Sequence, residues 1–451
     1  MKKRSNFSGK LGFVMSAAAS AVGLGNLWRF PYLAAKYGGG TFLLVYLILM
    51  VTFGFTLMVG EIGIGRKTGL SVISAYKKLD KRFAFIGIIS AFVPALILPY
   101  YSVIGGWVCK YTAVFLAGGG TEAVQDGFFT GFITSSVSPL MWFALFVLLT
   151  SVIVIMGVEK GIEKCSKIMM PVLIILSIII AAYGLTTEGA LEGLKYYITP
   201  DLSKLTAKTV LAALGQLFYS MSLAMGVMVT YGSYMKKETN IESSIRHIEL
   251  FDTGIAFLAG LMIVPAVYAF SGGDQSALSA GPGLMFITLP KIFNNMAFGG
   301  IIGFMFFILV LFAALTSSVS LMETVVSMVQ DKLKASRKVA TVAVGLFTFA
   351  LGVPSSLGFG VWSGVSWMGM SILDMFDFIS NSILMPLVAL MTCLFIGYVI
   401  KPSAIVDEVE ANGEVFKSKK SFVFITKYIA PIGIVAILIS FVAAGLGFLQ
   451  W

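Results

Sequence analysis

The sequence predicts an all-α polytopic membrane protein with about 11 transmembrane helices. Three observations carry that prediction. Of 451 residues, 58% are hydrophobic and only 12% are charged, with a mean hydropathy of +0.93; a soluble chain of this length cannot bury so much apolar surface. The apolar residues run continuously for roughly 20 positions at a time, the length a spanning helix needs, rather than alternating as in a β-barrel. Lipid cannot satisfy free peptide groups, so each run must be helical.

Taken in order, residues 1–10 form a basic N-terminal segment, MKKRSNFSGK. No small-residue cleavage site follows, so the first apolar run is expected to be retained. Apolar runs follow at 11–36, 41–65, 84–116, 139–157 and 163–185, then at 208–234, 245–270, 297–329, 338–353 and 369–399, with a last run at 421–449. The net charge of +10 is a topology signal rather than the mark of an anionic partner, and no nucleic acid is expected. Of the 32 Lys and Arg residues, 25 fall at the N-terminus, in alternate connections or at Lys427. That asymmetry places the N-terminus in the cytoplasm, and an odd span count places Trp451 outside. Cys109, Cys165 and Cys393 lie far apart, and His247 is the sole histidine, so neither a disulfide framework nor a zinc centre is expected.

Two runs are interrupted. "SAVGLGNLWRFPY" (20–32) sets Gly23 and Gly25 in the middle of the first span, and "GQLFYSMSLAMGVMVTYGSY" sets Ser220, Ser222 and Gly226 in the sixth. Close helix packing explains small residues equally well in one span. If spans 1–5 (11–185) and 6–10 (208–399) are two halves, however, the breaks correspond. Paired breaks point to a transporter of inverted repeats, with freed N–H groups offered to an anion and freed carbonyls to a cation. Span 11 (421–449) is then additional.

Several polar residues stand inside apolar runs. Asp252 in "RHIELFDTGIAF" is a functional candidate, the alternative being a structural pair with a base such as Arg246. Thr316 and Ser317 in "ALTSSVSLME" could bond back to their own helix. Tyr101 shares one helical face with Ile97 and Ile104, as a site wall or a packing stripe. Arg29 and Asp377 could pair, or Asp377 could cap its helix. Gly161 and Pro171 bracket the start of span 5, where both weaken a helix.

"AVGLGNLWRFPY" (21–32), "GGGTFLLVY" (38–46), "LPYYSVIGGW" (98–107), "GQLFYSMSLAMG" (215–226) and "ALTSSVSLME" (314–323) resemble the neurotransmitter:sodium symporter family, in its bacterial amino-acid branch. The resemblance covers nearly the whole chain in order. The rule about paired breaks was itself drawn from this family, so it adds no independent weight.

The resemblance implies a 5+5 inverted-repeat fold and a sodium-coupled symporter that imports neutral, hydrophobic or aromatic L-amino acids without chloride. It implies a first Na⁺ site of Asn26, Ser220, Asp252 and the Ala21 carbonyl. Asp252 stands where many relatives carry an asparagine, and its charge would make chloride unnecessary. A second Na⁺ site would be Thr316 and Ser317 with the carbonyls of Ala19, Val22 and Ala313. Hard oxygen donors of this kind suit a hard cation. The substrate carboxylate would meet Tyr101 and the Leu24 and Gly25 amides. The substrate ammonium would meet carbonyls of Ala21, Tyr219 and Ser220 and the Ser222 hydroxyl. Ile97, Ile104, Tyr219, Met225, Ser317 and Leu321 would wall the side-chain pocket. Ala224 stands where some relatives have a glycine, which tells against the largest aromatic substrates.

Arg29 and Asp377 would gate the outer side with Gln216 beside them, and Arg4 and Asp331 the inner side with Phe7 and Tyr234. Glu323 is assigned no transport role. The Gly161–Pro171 spacing is linked in relatives to unwinding that wets the second ion site. The expected ligands are two Na⁺ ions and no organic cofactor. The protein is expected to be a monomer among membrane lipid, in the plasma (inner) membrane.

Other classes fit less well. No GxSG or GxGD motif supports a membrane enzyme, and "GLGNLW" matches a dinucleotide fingerprint only in its first two glycines. Nothing repeats as a channel filter would. An amino-acid-binding sensor or a proton-coupled carrier on the same scaffold remains the alternative.

Overall fold

The computed structural model describes residues 6–272 and 282–445, so Arg4 and Trp451 lie outside the described residues. Helices dominate, and among the described residues strand pairing is limited to isolated bridges, Gly39 with Pro200 and Trp367 with Met370. Among the described residues, nine helices are each long and apolar enough to cross a membrane: 40–68, 81–116, 138–155, 158–184, 241–270, 299–333, 337–357, 372–399 and 419–445. Lys10–Ala21 and Gly25–Lys36 make a tenth span, bent by 52° at its break. Ala207–Ser220 and Val227–Gly232 form a further interrupted rod. These are taken as spans 1 to 11 in chain order, with the bent pair as span 1 and the interrupted rod as span 6.

Local chemistry starts several of these helices. The Thr206 side chain accepts from the Thr209 amide, and Thr209 reaches back to Thr206, a reciprocal cap that opens span 6. Asn240 does the same service one-sidedly for span 7, accepting from the Ser243 amide at 2.7 Å. Ser371 and Asp374 form a second reciprocal cap ahead of span 10. The Gly69 backbone, at φ 66°, ends span 2 in the left-handed region that glycine adopts freely.

Burial separates the inner rods from the outer ones. Spans 2 and 8 have 61% of their apolar windows buried, against 33% for spans 4 and 5 and 28% for span 11, which leaves those three facing lipid. Span 3 packs along span 8, and spans 1 and 6 lie inside, almost wholly buried. The two broken rods are therefore the best shielded from lipid, where irregular backbone is tolerated only against protein or a cavity.

Candidate functional site

The break in span 1 covers Val22–Leu24, and a widened turn, Gly25–Arg29, follows it. Asn26 bridges the gap: its amide N–H donates to the Gly23 carbonyl, and its Oδ1 accepts from the Gly23 N–H, both at 3.1 Å. Both glycines are required by close approach. A Cβ at Gly23 would lie 2.6 Å from the Ser317 hydroxyl and 3.2 Å from the Tyr101 hydroxyl, and one at Gly25 would enter the Tyr219 ring.

The break in span 6 covers residues 221–226, where Ser222, Ala224 and Gly226 all have positive φ, at 51°, 59° and 71°. Two non-glycine residues in that region cost roughly 1–3 kcal/mol each, so the surroundings must hold them there. Glu61 of span 2 does so, accepting from the Ala224 N–H at 2.6 Å while 4% exposed. Among the described residues, its second oxygen has no hydrogen-bond partner. Glu61 was not singled out from sequence, although an acidic residue in "MVGEIGIG" was the signal that could have found it.

Between the breaks lies a small cavity, about 30 Å³, lined by Ala21, Leu24, Gly25, Ile97, Tyr101, Tyr219, Ser222, Met225, Ser317 and Leu321, all expected. Ser20, Gly23 and Asn26 also line it and were not expected to. Ile104, expected in its wall, lines the larger vestibule beyond Tyr219 instead. Ser220 faces away from the cavity, toward Asp252. The Leu24 N–H points at the Tyr101 hydroxyl at 3.4 Å.

Asp252 is completely buried and receives three donors. Asn26 Nδ2 donates to Oδ1 at 2.8 Å, and the Ser220 hydroxyl lies 2.9 Å from Oδ1 and 3.1 Å from Oδ2. Tyr46, which no sequence pattern marks, donates to Oδ2 at 3.2 Å. Arg246 is not its partner. That guanidinium lies 3.8 Å from the centre of the Phe55 ring and pairs with Glu249 at 3.1 Å. A buried carboxylate met by neutral amide and hydroxyl groups offers an oxygen-rich setting that suits a small hard cation.

The second oxygen cluster joins spans 1 and 8. The Ser317 hydroxyl reaches the Ser20 and Val22 carbonyls at 3.2 and 3.3 Å, both at the end of the first half of span 1. Thr316 bonds within its own helix, to the Phe312 and Ala313 carbonyls at 2.9 and 3.1 Å. Ala19 is buried alongside. Ser20 also donates to Ser320 at 2.6 Å and accepts through its carbonyl from Ser222 at 3.0 Å, linking the two breaks.

Toward one face opens a vestibule of about 540 Å³ lined by Arg29, Tyr32, Tyr219, Asp377 and Phe378 among others. Tyr219 borders both spaces and partitions them. Arg29 and Asp377 do not form a direct ion pair among the described residues. Asp377 accepts from Tyr100 at 3.0 Å and from Asn381 at 2.6 Å, while the Arg29 guanidinium lies 5.2 Å from the Tyr219 ring centre. Gln216 donates to the Gly25 carbonyl at 3.0 Å.

On the opposite face, the residues just before span 1 pack against those just after span 6. The Phe7 N–H donates to the Tyr234 carbonyl at 3.1 Å, and its ring meets Phe13, Tyr231 and Tyr234 edge-on. Asp331 accepts from the Ser71 N–H at 2.8 Å. Glu323, given no role from sequence, accepts from Tyr234 at 2.7 Å and pairs with Arg337. In span 5, a widened turn at Val158–Glu163 precedes a helix that runs unbroken over Lys164–Gly184 through Pro171.

Comparison with known proteins gives a consistent result. The model of the sodium:neurotransmitter symporter family matches residues 4–118 and 133–446. YhdH of Bacillus subtilis, described as a sodium-dependent transporter, is 37% identical over 450 residues, 98% of each chain. The sodium- and chloride-dependent GABA transporter 2 of Homo sapiens is 26% identical over 90% of this chain and 75% of its own. The crystal structure of MhsT in complex with L-phenylalanine aligns with a TM-score of 0.87 at 39% identity, covering 97% of this chain and all of that one.

Proposed function

Because the chain belongs to the sodium:neurotransmitter symporter family, a family of transporters and not of enzymes, we propose that it imports neutral, hydrophobic or aromatic L-amino acids together with Na⁺. It does so by alternating access and without chloride. The single observation that carries this reading is Asp252, a buried carboxylate beside a small apolar cavity at two broken helices.

In this reading the first Na⁺ sits against Asp252, Ser220 and Asn26, and also touches the substrate carboxylate. Asn26 turns its amide so that Oδ1 faces the ion. The second Na⁺ takes Thr316 and Ser317 away from the backbone carbonyls they now contact. The carboxylate of the amino acid meets Tyr101 and the Leu24 and Gly25 amides, and Ser222 lies on the ammonium side. Ile97, Met225 and Leu321 favour a side chain without charge. Because the substrate carboxylate and an ion share contacts, each raises the other's affinity by the same factor. Asp252 supplies the fixed negative charge that chloride would otherwise bring. The match to a structure holding L-phenylalanine supports an amino acid as cargo.

Tyr219 stands between the cavity and the vestibule, so loading from the vestibule requires this partition to swing aside. Release requires the opposite face to open. We assign residues 11–185 and 208–399 to the two repeats, since the interruption falls in the first rod of each. In this reading the N-terminal face is cytoplasmic and the vestibule outside, which the basic connections support. Inward movement of one positive charge across ~100 mV then contributes ~2.3 kcal/mol toward accumulation.

The test is uptake into proteoliposomes. An inward Na⁺ gradient should drive accumulation of labelled L-phenylalanine, gluconate in place of chloride should leave it unchanged, and unlabelled hydrophobic amino acids should compete best among the twenty. Loss of uptake on chloride removal, or accumulation driven equally well without Na⁺, would refute the reading.

A further inference from the structure

We propose that Glu163 is a positioning residue that latches the first half of span 1 to span 5, and so holds the N-terminal face shut. This rests on the alternating-access reading above. Glu163 ends the widened turn Val158–Glu163, and its side chain is 2% exposed. Both carboxylate oxygens are taken up. Oε2 accepts from the Ser8 N–H at 2.8 Å, and Oε1 accepts from the Ser8 hydroxyl and from Lys167 at 2.6 Å.

Ser8 directly precedes Gly9, the cap of helix Lys10–Ala21, and a glycine has no side chain with which to cap that helix. The carboxylate of span 5 therefore supplies the negative partner that a helix start favours. A second observation is steric. A Cβ at Gly12 would run into all three carboxyl atoms of Glu163, so the backbone of span 1 lies directly on this group. The contact is built from both sides: a buried acid on one rod and a glycine on the other.

The anchor itself is poised to move. Gly157, at φ 98°, and the widened turn interrupt regular hydrogen bonding just where Glu163 is held. If the first half of span 1 swings out alone, Glu163 keeps only Lys167 while still buried, which is costly. The two segments should therefore release together, so that the path beside the second oxygen cluster opens only when span 5 also yields.

The experiment uses the full chain, purified in detergent with saturating Na⁺. Cys109, Cys165 and Cys393 are replaced by alanine, and a reporter is installed as Ser16→Cys, a 1% exposed position one helical turn beyond Gly12. Ser355→Cys, a fully buried position on span 9, is the control reporter. Glu163→Gln and, independently, Gly12→Ala should each raise the rate of maleimide labelling at 16 by roughly tenfold, with Ser355→Cys unchanged. Glu163→Asp, which keeps the charge, should restore most of the protection. Labelling at the parent rate in both variants would overturn the proposal. So would an equal rise at both reporters, which signals general loosening. Na⁺-dependent binding of L-phenylalanine to the parent is measured alongside. Its absence would sink the proposed function, while the labelling ratio alone decides the latch.

Discussion

Asp252 and Glu61 are both buried acids, yet their surroundings assign them different work. Asp252, on span 7, collects donors from Asn26, Ser220 and Tyr46, three positions drawn from spans 1, 6 and 2. Asp252→Asn keeps the shape but removes the charge. Sodium affinity should fall by at least about tenfold, and the uptake that remains should become chloride-stimulated, as read by labelled amino-acid uptake with chloride or gluconate. Glu61 instead satisfies one peptide N–H in the strained segment of span 6. Glu61→Gln retains an acceptor for Ala224 and should bind substrate nearly as well as the parent. Glu61→Ala strands a buried N–H, costing about 1–3 kcal/mol, and should lower both thermal stability and substrate affinity. Equal behaviour of the two variants in a binding assay would show that the Ala224 contact is not what matters. Asp252 was legible in the sequence because it interrupts an apolar run. Tyr46 was not, since a tyrosine in an apolar helix carries no signal until another rod brings a carboxylate to it.

At the scale of elements, the breaks in spans 1 and 6 behave as one unit. Gly25 and Tyr219 are in direct contact across them, and Ser20 and Ser222 share hydrogen bonds. Gly25→Ala should force the Tyr219 ring away from the cavity. The expected result is roughly a tenfold loss of substrate affinity with little change in expression, measured by equilibrium binding. In span 5, Pro171 lies within a continuous helix whose start is already widened. Pro171→Ala restores a missing N–H and should slow Na⁺ release through the N-terminal face more than it alters substrate binding from the vestibule side. Single-turnover efflux against equilibrium affinity separates the two; unchanged release would remove Pro171 from the mechanism. The positions of the breaks were visible as clusters of glycine, serine and asparagine in otherwise apolar runs. The gating contacts were not. Asp377 turns to Tyr100 and Asn381 rather than to Arg29, and Glu323 finds Tyr234 and Arg337, because side chains far apart in sequence settle on whichever partner the packed rods present.

For the whole molecule, ion binding should be visible as stability. If Na⁺ binds only the folded chain, raising it to 100 times its dissociation constant adds about 2.7 kcal/mol, and exchange for choline removes that gain. The melting temperature should therefore climb with Na⁺ in the parent and respond much less in Asp252→Asn. What the sequence determined by itself is the membrane class, the approximate number and the order of rods, the two interruptions and the basic asymmetry of the connections. Those follow from composition and short-range pattern, since lipid imposes one rule on every apolar run. Only the tertiary structure decided which groups meet: Tyr46 and Asp252, Glu61 and the Ala224 amide, Ile104 in the vestibule rather than the pocket, Glu163 beneath Gly12. Such contacts depend on how rods rotate and approach to within a few ångströms. A pattern along one rod constrains which face is apolar and says little about which atom lies opposite.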